Sequence, residues 1–146
     1  MALTAVCKKT PVGKKEVLID RDGGPSKIII NNKNTDLTKL QIYTVDGCLV
    51  KEGIRCDYLI FPNDTSAVFS ELKGADVEHG IAQLEQSLSD LKNDVEGRQK
   101  YALLVATRCP LAQSDVLKEQ TRFRRKLGCE LRIRSKVLEC STTDFG

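Results

Sequence analysis

The chain has 146 residues, a formal net charge of +3, 40% hydrophobic and 29% charged residues. That is length for one domain with one good core, and a composition typical of globular proteins. Only 5% of residues are aromatic and there is no Trp, which argues against a base-stacking platform for single strands; no run is long enough to span a membrane as a helix.

In chain order, Val17–Ile19 and Ile28–Ile30 are short apolar runs split by Arg21-Asp22-Gly23-Gly24-Pro25, which predicts a hairpin or two short strands. Leu40–Val45 reads as a strand. Asp46-Gly47 reads as a hairpin turn, with Cys48–Val50 starting the return until Glu52-Gly53 breaks it. Cys56–Phe61 and Ala67–Leu72 are strands joined by the turn residues Pro62-Asn63-Asp64-Thr65. Between 77 and 92, Val77, Ile81, Leu84, Leu88 and Leu91 recur in steps of four and three, the signature of an amphipathic helix, with Asp76 as N-cap. Tyr101–Ala106 is a continuously apolar run, expected as a buried strand. After Cys109 a second helix is expected over 114–127, with Val116, Gln120, Phe123 and Leu127 on its inner stripe and Gly128 closing it. Cys129–Cys140 then alternates as one final strand. Strands, helix, buried strand, helix and strand in that order predict an α/β (α+β) domain, a mixed sheet flanked by helices with extra strands at the N-terminus.

The six cysteines, Cys7, Cys48, Cys56, Cys109, Cys129 and Cys140, form no C-x-x-C pair, so a zinc knuckle is not expected. With no apolar stretch of signal-peptide length near residue 1, the expectation is a cytoplasmic protein with reduced, mostly buried thiols; the even count leaves disulfides open.

The chemistry concentrates in residues 55–74, RCDYLIFPNDTSAVFSELKG. A hairpin centred near Asp64 sets Asp57 opposite Glu71, with Cβ atoms about 5 Å apart. Lys73, two residues on, shares the face of Glu71. Two carboxylates at that spacing suit one hard divalent cation, and a nearby lysine can meet a water or a phosphate. The alternative is a cross-strand ion pair on a solvated strand face, worth about 0–1 kcal/mol. Gln83 flanks the apolar stripe of the first helix and is either an assisting residue or a boundary polar one. His79, the only histidine, is expected to be exposed, and no nucleophilic triad can be built around it. Towards the C-terminus, Lys118, Arg122, Arg124, Arg125 and Lys126 crowd the second helix, and Arg132, Arg134 and Lys136 alternate on the last strand. This basic skew over 114–140 suits phosphate contacts. Lys8, Lys9, Lys14 and Lys15 form a second, smaller cluster.

Asp57 at the start of one strand, Glu71-Leu72-Lys73 closing the next, a helix carrying Gln83 and then the buried strand 101–106 together resemble the PD-(D/E)xK phosphodiesterase superfamily, the restriction-endonuclease-like fold, in its small stand-alone bacterial or phage forms. The resemblance covers residues 41–107. It implies a nuclease with Asp57 and Glu71 binding Mg²⁺ or Mn²⁺, Lys73 positioning the attacking water, Gln83 assisting, and DNA as partner. A homodimer or a subunit of a larger complex is compatible with it. The chain departs from the family pattern in two places. Cys56 stands where Pro is frequent, and no helix precedes residue 40 to supply a further acid, for which Glu52 and Asp46 are the candidates. The alternative is a non-catalytic nucleic-acid- or protein-binding protein on the same fold, for example in phage defence or counter-defence.

Overall fold

The computed structural model describes residues 3–9, 11, 13–109 and 111–146. Its backbone is a six-stranded mixed sheet, covered by two helices on one face and by a three-stranded sheet on the other. The strands are β1 (Lys8–Lys9), β2 (Lys15–Ile19), β3 (Lys27–Asn31), β4 (Gln41–Thr44), β5 (Tyr58–Phe61), β6 (Ser66–Lys73), β7 (Gln99–Ala106), β8 (Cys129–Ser135) and β9 (Val137–Ser141). The helices are α1 (Val77–Asp90) and α2 (Gln113–Arg122). The large sheet runs β1-β4-β5-β6-β7-β8, antiparallel as far as β6 and parallel from β6 to β8. The small one runs β2-β3-β9. The extra strands expected at the N-terminus therefore build the second layer, so the helices flank only one face.

The continuous apolar run 101–106 follows from this layering, because β7 is buried on both sides. Ala102, Leu104 and Ala106 pack under the helices with Ile81, Leu84, Leu88 and Phe123; Tyr101, Leu103 and Val105 pack against Leu18, Ile28, Ile30 and Leu138 of the small sheet. α1 starts where Asp76 accepts the His79 N–H at 3.0 Å, and buries Val77, Ile81, Leu84 and Leu88 as its spacing predicts. α2 widens into a π-type turn over Phe123–Leu127, which buries Phe123 completely, and ends on Gly128 in the left-handed region at φ 58°.

Three expectations are corrected. Cys48–Val50 forms no return strand. Residues 45–50 close on themselves through Val50 N–H to Val45 O (2.9 Å) and Gly47 N–H to Val50 O (3.0 Å), and the free edge of β4 is taken by β5 instead. The final strand is two, because Lys136 adopts φ 65° and turns the chain out of the large sheet. Its N–H donates to Ala106 O (2.7 Å), and its carbonyl accepts the Lys27 N–H (3.0 Å), so β8 and β9 belong to different sheets. Finally, Cys7 and Cys48 are joined in a disulfide with Cα atoms 5.8 Å apart, while Cys56, Cys109, Cys129 and Cys140 are free thiols. No helix among the described residues is long and apolar enough to cross a membrane.

Two stability measurements check this packing. Phe123→Ala removes a wholly buried ring and is expected to lower unfolding free energy by about 3–5 kcal/mol, read as a lower denaturation midpoint at unchanged slope. Reducing the Cys7–Cys48 bond, which spans 41 residues, is expected to cost about 2–4 kcal/mol, and Cys48→Ser should reproduce the loss without reductant.

Candidate functional site

The β5–β6 register runs Ile60↔Val68, Leu59↔Phe69, Tyr58↔Ser70. One further step sets Asp57 opposite Glu71, at the end of the hairpin away from its turn. Here the ladder changes character. Asp57 N–H donates to Ser70 O (3.1 Å), its carbonyl accepts the Val45 N–H (2.9 Å), and its Oδ2 accepts the Leu72 N–H (3.0 Å). A side chain thus takes a donor that a longer β5 would have taken with backbone.

Both carboxylates are nearly shut off from solvent, Asp57 at 7% and Glu71 at 2% exposure. Glu71 Oε2 lies 3.8 Å from Lys73 Nζ, and Glu71 Oε1 is buried with no hydrogen-bond partner. An orphaned anionic oxygen is costly, and its protonation answers the cost. Burial, then the charge of Asp57, push the Glu71 carboxyl up to about 9, against the pull of Lys73. Burial also pushes Asp57 up to about 6; the Leu72 N–H opposes this, while the charges of Asp20, Asp46 and Asp22 add to it. Next to them, burial drives the Cys56 thiol far above its ordinary range and keeps it inert.

α1 holds the backbone ahead of Asp57. Gln83 and Ser87 lie one turn apart on one helical face. Gln83 Nε2 donates to Arg55 O (3.0 Å), and Ser87 Oγ accepts the Cys56 N–H (2.7 Å), so the two residues before Asp57 are fixed from the helix. Gln83 Oε1 is buried and unpartnered. Gln83, Asp46, Gly53, Ile54, Arg55 and the exposed His79 line a pocket of about 230 Å³. Gly80 brings α1 against Lys73 and Leu104: a Cβ there would stand 3.2 Å from Lys73 Cγ and 2.8 Å from Leu104 Cδ1.

The basic residues do not converge on this site as one surface. Arg122 is taken by Glu85 and Glu119, both at 2.7 Å. Arg132 pairs with Glu130 (2.7 Å) and lies over the rings of Tyr101 and Phe145. Lys118, Arg124, Arg125, Lys126, Arg134 and Lys136 are exposed. Register divides them. Arg134 pairs with Val105, which pairs with Leu72, so Arg134 and Lys136 lie at the acidic end of the sheet. Arg124–Lys126 precede Cys129, which pairs with Lys100 and through it with Ala67, six residues from Lys73 and so about 20 Å away along the strands.

Of the acids proposed to supplement the pair, Asp46 is engaged by Arg55 Nε at 2.7 Å, and Glu52 is exposed. An acid not anticipated from the sequence is Asp20, 93% buried where β2 ends. Its place in the turn string Asp-Arg-Asp-Gly-Gly-Pro reads as ordinary turn chemistry, and its Oδ1 does accept the Asp22 N–H at 2.9 Å; its burial comes from the packing of the hairpin onto the large sheet.

Comparison with protein-family models, curated proteins and solved structures finds no match to this chain.

The raised carboxyl groups set a direction for stability in metal-free buffer. Folded Glu71 retains a proton that the unfolded chain releases, so its contribution to stability is fully present below the ordinary glutamate range and is lost as pH rises from there through about 9. Denaturation midpoints between pH 6 and 9 should decline for the native chain and flatten in Glu71→Gln.

Proposed function

We propose that the protein is a Mg²⁺- or Mn²⁺-dependent nuclease hydrolysing phosphodiester bonds in DNA, related to the PD-(D/E)xK phosphodiesterases. One observation carries the reading: Asp57 and Glu71 lie one step beyond the last β5–β6 register pair, Tyr58↔Ser70, and the inner oxygen of Glu71 is buried without a hydrogen-bond partner while its other oxygen lies 3.8 Å from Lys73 Nζ. Evolution rarely leaves such an oxygen unsatisfied in a fold that gains nothing from it.

The residues fit a hard cation. Asp57 and Glu71 supply oxygen donors, and Mg²⁺ is commonly held by one or two carboxylates with waters completing its shell. Among the described residues no three His, Cys, Asp or Glu side chains converge as a ready-made cage. When bound, the ion supplies Lewis acidity towards a phosphoryl oxygen and lowers the pKa of water. Glu71 must give up its proton to serve as a donor, so affinity for the ion rises with pH. Lys73, partly exposed with its stem against Gly80, directs an ammonium at the same face and is placed to orient the attacking water or offset charge on the phosphate. Gln83 acts with Ser87 on the Arg55–Cys56 backbone, a positioning role for Asp57. Arg134 and Lys136 are the basic residues at the end of the sheet where backbone phosphates would approach. Assembly as a homodimer or subunit is compatible with this reading; the Cys7–Cys48 disulfide weighs against a reducing cytoplasmic setting.

A second reading is a non-catalytic nucleic-acid-binding protein on the same framework. It is favoured by the separation of Arg124, Arg125 and Lys126 from the acids. Incubation with supercoiled plasmid discriminates. The nuclease should nick it with Mg²⁺ or Mn²⁺ and not with chelator, and Glu71→Ala and Lys73→Ala should each lose about a hundredfold or more while melting as folded proteins. Salt-sensitive retention of DNA without cleavage supports the second reading; full cleavage by both variants overturns the assignment of the site.

A further inference from the structure

α1 and α2 lie on the same face of the large sheet. Each links two parallel strands, so the helices run in the same direction. A cleft of about 430 Å³ separates them, within the roughly 300–1,000 Å³ of small-ligand sites. Its two walls are matched helical stripes. Glu78, Ile81, Ala82 and Glu85 follow steps of three, one and three along α1, and Asp115, Lys118, Glu119 and Arg122 repeat those steps along α2. The two ends differ. At the C-terminal end, Arg122 bridges the helices through Glu85 at 2.7 Å and is held by Glu119 at 2.7 Å. At the N-terminal end, Glu78 and Asp115 are exposed, and no cation is paired with either among the described residues. Apolar surface lies between the ends. Ile81 belongs to the core beneath the helices, Leu111 packs against that core, and Ala82 is exposed beside them.

Charge decides what such a cleft admits. Four carboxylates against two cations leave its lining two negative charges in excess. Arg122 already serves two of those carboxylates, so the unmet charge lies at the Glu78–Asp115 end. The helix dipoles favour an acid in each first turn, but they do not account for an apolar gap left open between the two. An anion would meet uncompensated carboxylates here. Lys118 and Arg122, expected from the sequence to contact phosphate, therefore belong to a surface that disfavours it. A ligand with an apolar body and a protonated amine answers both halves of the cleft, since its ammonium group can donate charge-assisted hydrogen bonds to the open acids.

We propose that the α1–α2 cleft binds a small amphipathic organic cation, its apolar body on Ile81, Ala82 and Leu111 and its ammonium group at Glu78 and Asp115. The cleft shares no residue with the Asp57–Glu71 site and does not depend on the nuclease reading.

The probe is benzylamine, titrated into the isotopically labelled full chain and followed by amide chemical shifts. Benzyl alcohol and benzoate, of similar size, are the neutral and anionic controls. A ligand this small binds in the millimolar range. Saturable binding is expected, with the largest shifts around Ile81, Ala82, Leu111 and Lys118, and with both controls about tenfold or more weaker. The double variant Glu78→Gln with Asp115→Asn should weaken benzylamine about tenfold or more. Ala82→Phe, which fills the cleft from an exposed position, should abolish binding, and the exposed control Glu96→Gln should leave it unchanged. Equal binding of benzyl alcohol, or native affinity in the double variant, overturns the choice of a cation. Native affinity in Ala82→Phe, or shifts centred elsewhere, overturns the cleft. An equal loss in Glu96→Gln reveals attraction to general surface charge and overturns the site as well. No saturable response to benzylamine overturns the proposal outright. Melting of each variant alone separates a folding defect from lost affinity; should the double variant fail to fold, Glu78→Gln and Asp115→Asn are tested singly, and native affinity in both overturns the proposal equally.

Discussion

The site depends on one side chain at the far end of its hairpin. Asn63 Oδ1 accepts the N–H groups of Thr65 and Ser66, both at 2.9 Å, and the Thr65 hydroxyl, so the turn after β5 closes around a single amide oxygen. That closure fixes the register, and a slip of one residue would turn every β6 side chain to the opposite face. Glu71 would then enter the apolar layer beneath the small sheet, and Leu72 would face the helix. The same amide donates to the carbonyl of Phe145 at 2.7 Å, and Arg98 Nη1 donates to the carbonyls of Asn63 and Ser66. The turn is thus fastened to the C-terminus and to the start of β7, and the position of two acids several residues away inherits that rigidity.

Much of this was legible because local chemistry and long-range packing agree. Pro62–Thr65 can hardly be anything but a turn, and the symmetry about Asp64 survives into the register of β5 and β6. The apolar steps of α1 and the unbroken run of β7 translate directly into a helix with one buried face and a strand with two. Illegible features are those in which distant segments decide. Asp46-Gly47 is sound hairpin chemistry, yet the partner that claims β4 arrives from residue 58 onward. Lys136 carries no glycine or proline signal for the left-handed turn that parts β8 from β9. Its conformation is held by Ala106 and Lys27, residues 30 and 109 positions away. The pairing of Cys7 with Cys48 is one of many that six cysteines allow. Within the candidate site, the spacing of Asp57, Glu71 and Lys73 was readable, but their degree of burial was not, and burial is what shifts the acids.

The helices and the small sheet divide the labour around that pair. α1 grips the backbone ahead of Asp57 through Gln83 and Ser87, and the β2–β3 turn grips the neighbouring Tyr58 and Lys73. Each carboxylate is therefore located from both sides of the sheet by groups that make no use of its charge. Geometry of this kind suits a site whose protonation changes, since a proton can come or go without the framework having to be rebuilt.

The disulfide has a topological consequence. β1 and β4 are edge partners, and Cys7 and Cys48 lie just outside that pair. The bond closes residues 7–48 into a covalent ring whose neck is the β1–β4 pair, with β2, β3 and the turn bearing Asp20 as the body of the loop. A protease that cuts the exposed Arg21 opens the ring without releasing a fragment; the two pieces part only when the disulfide is reduced. The β2–β3 hairpin is, in this sense, a tethered insertion, and a break in its turn leaves both of its strands covalently joined to the edge of the large sheet.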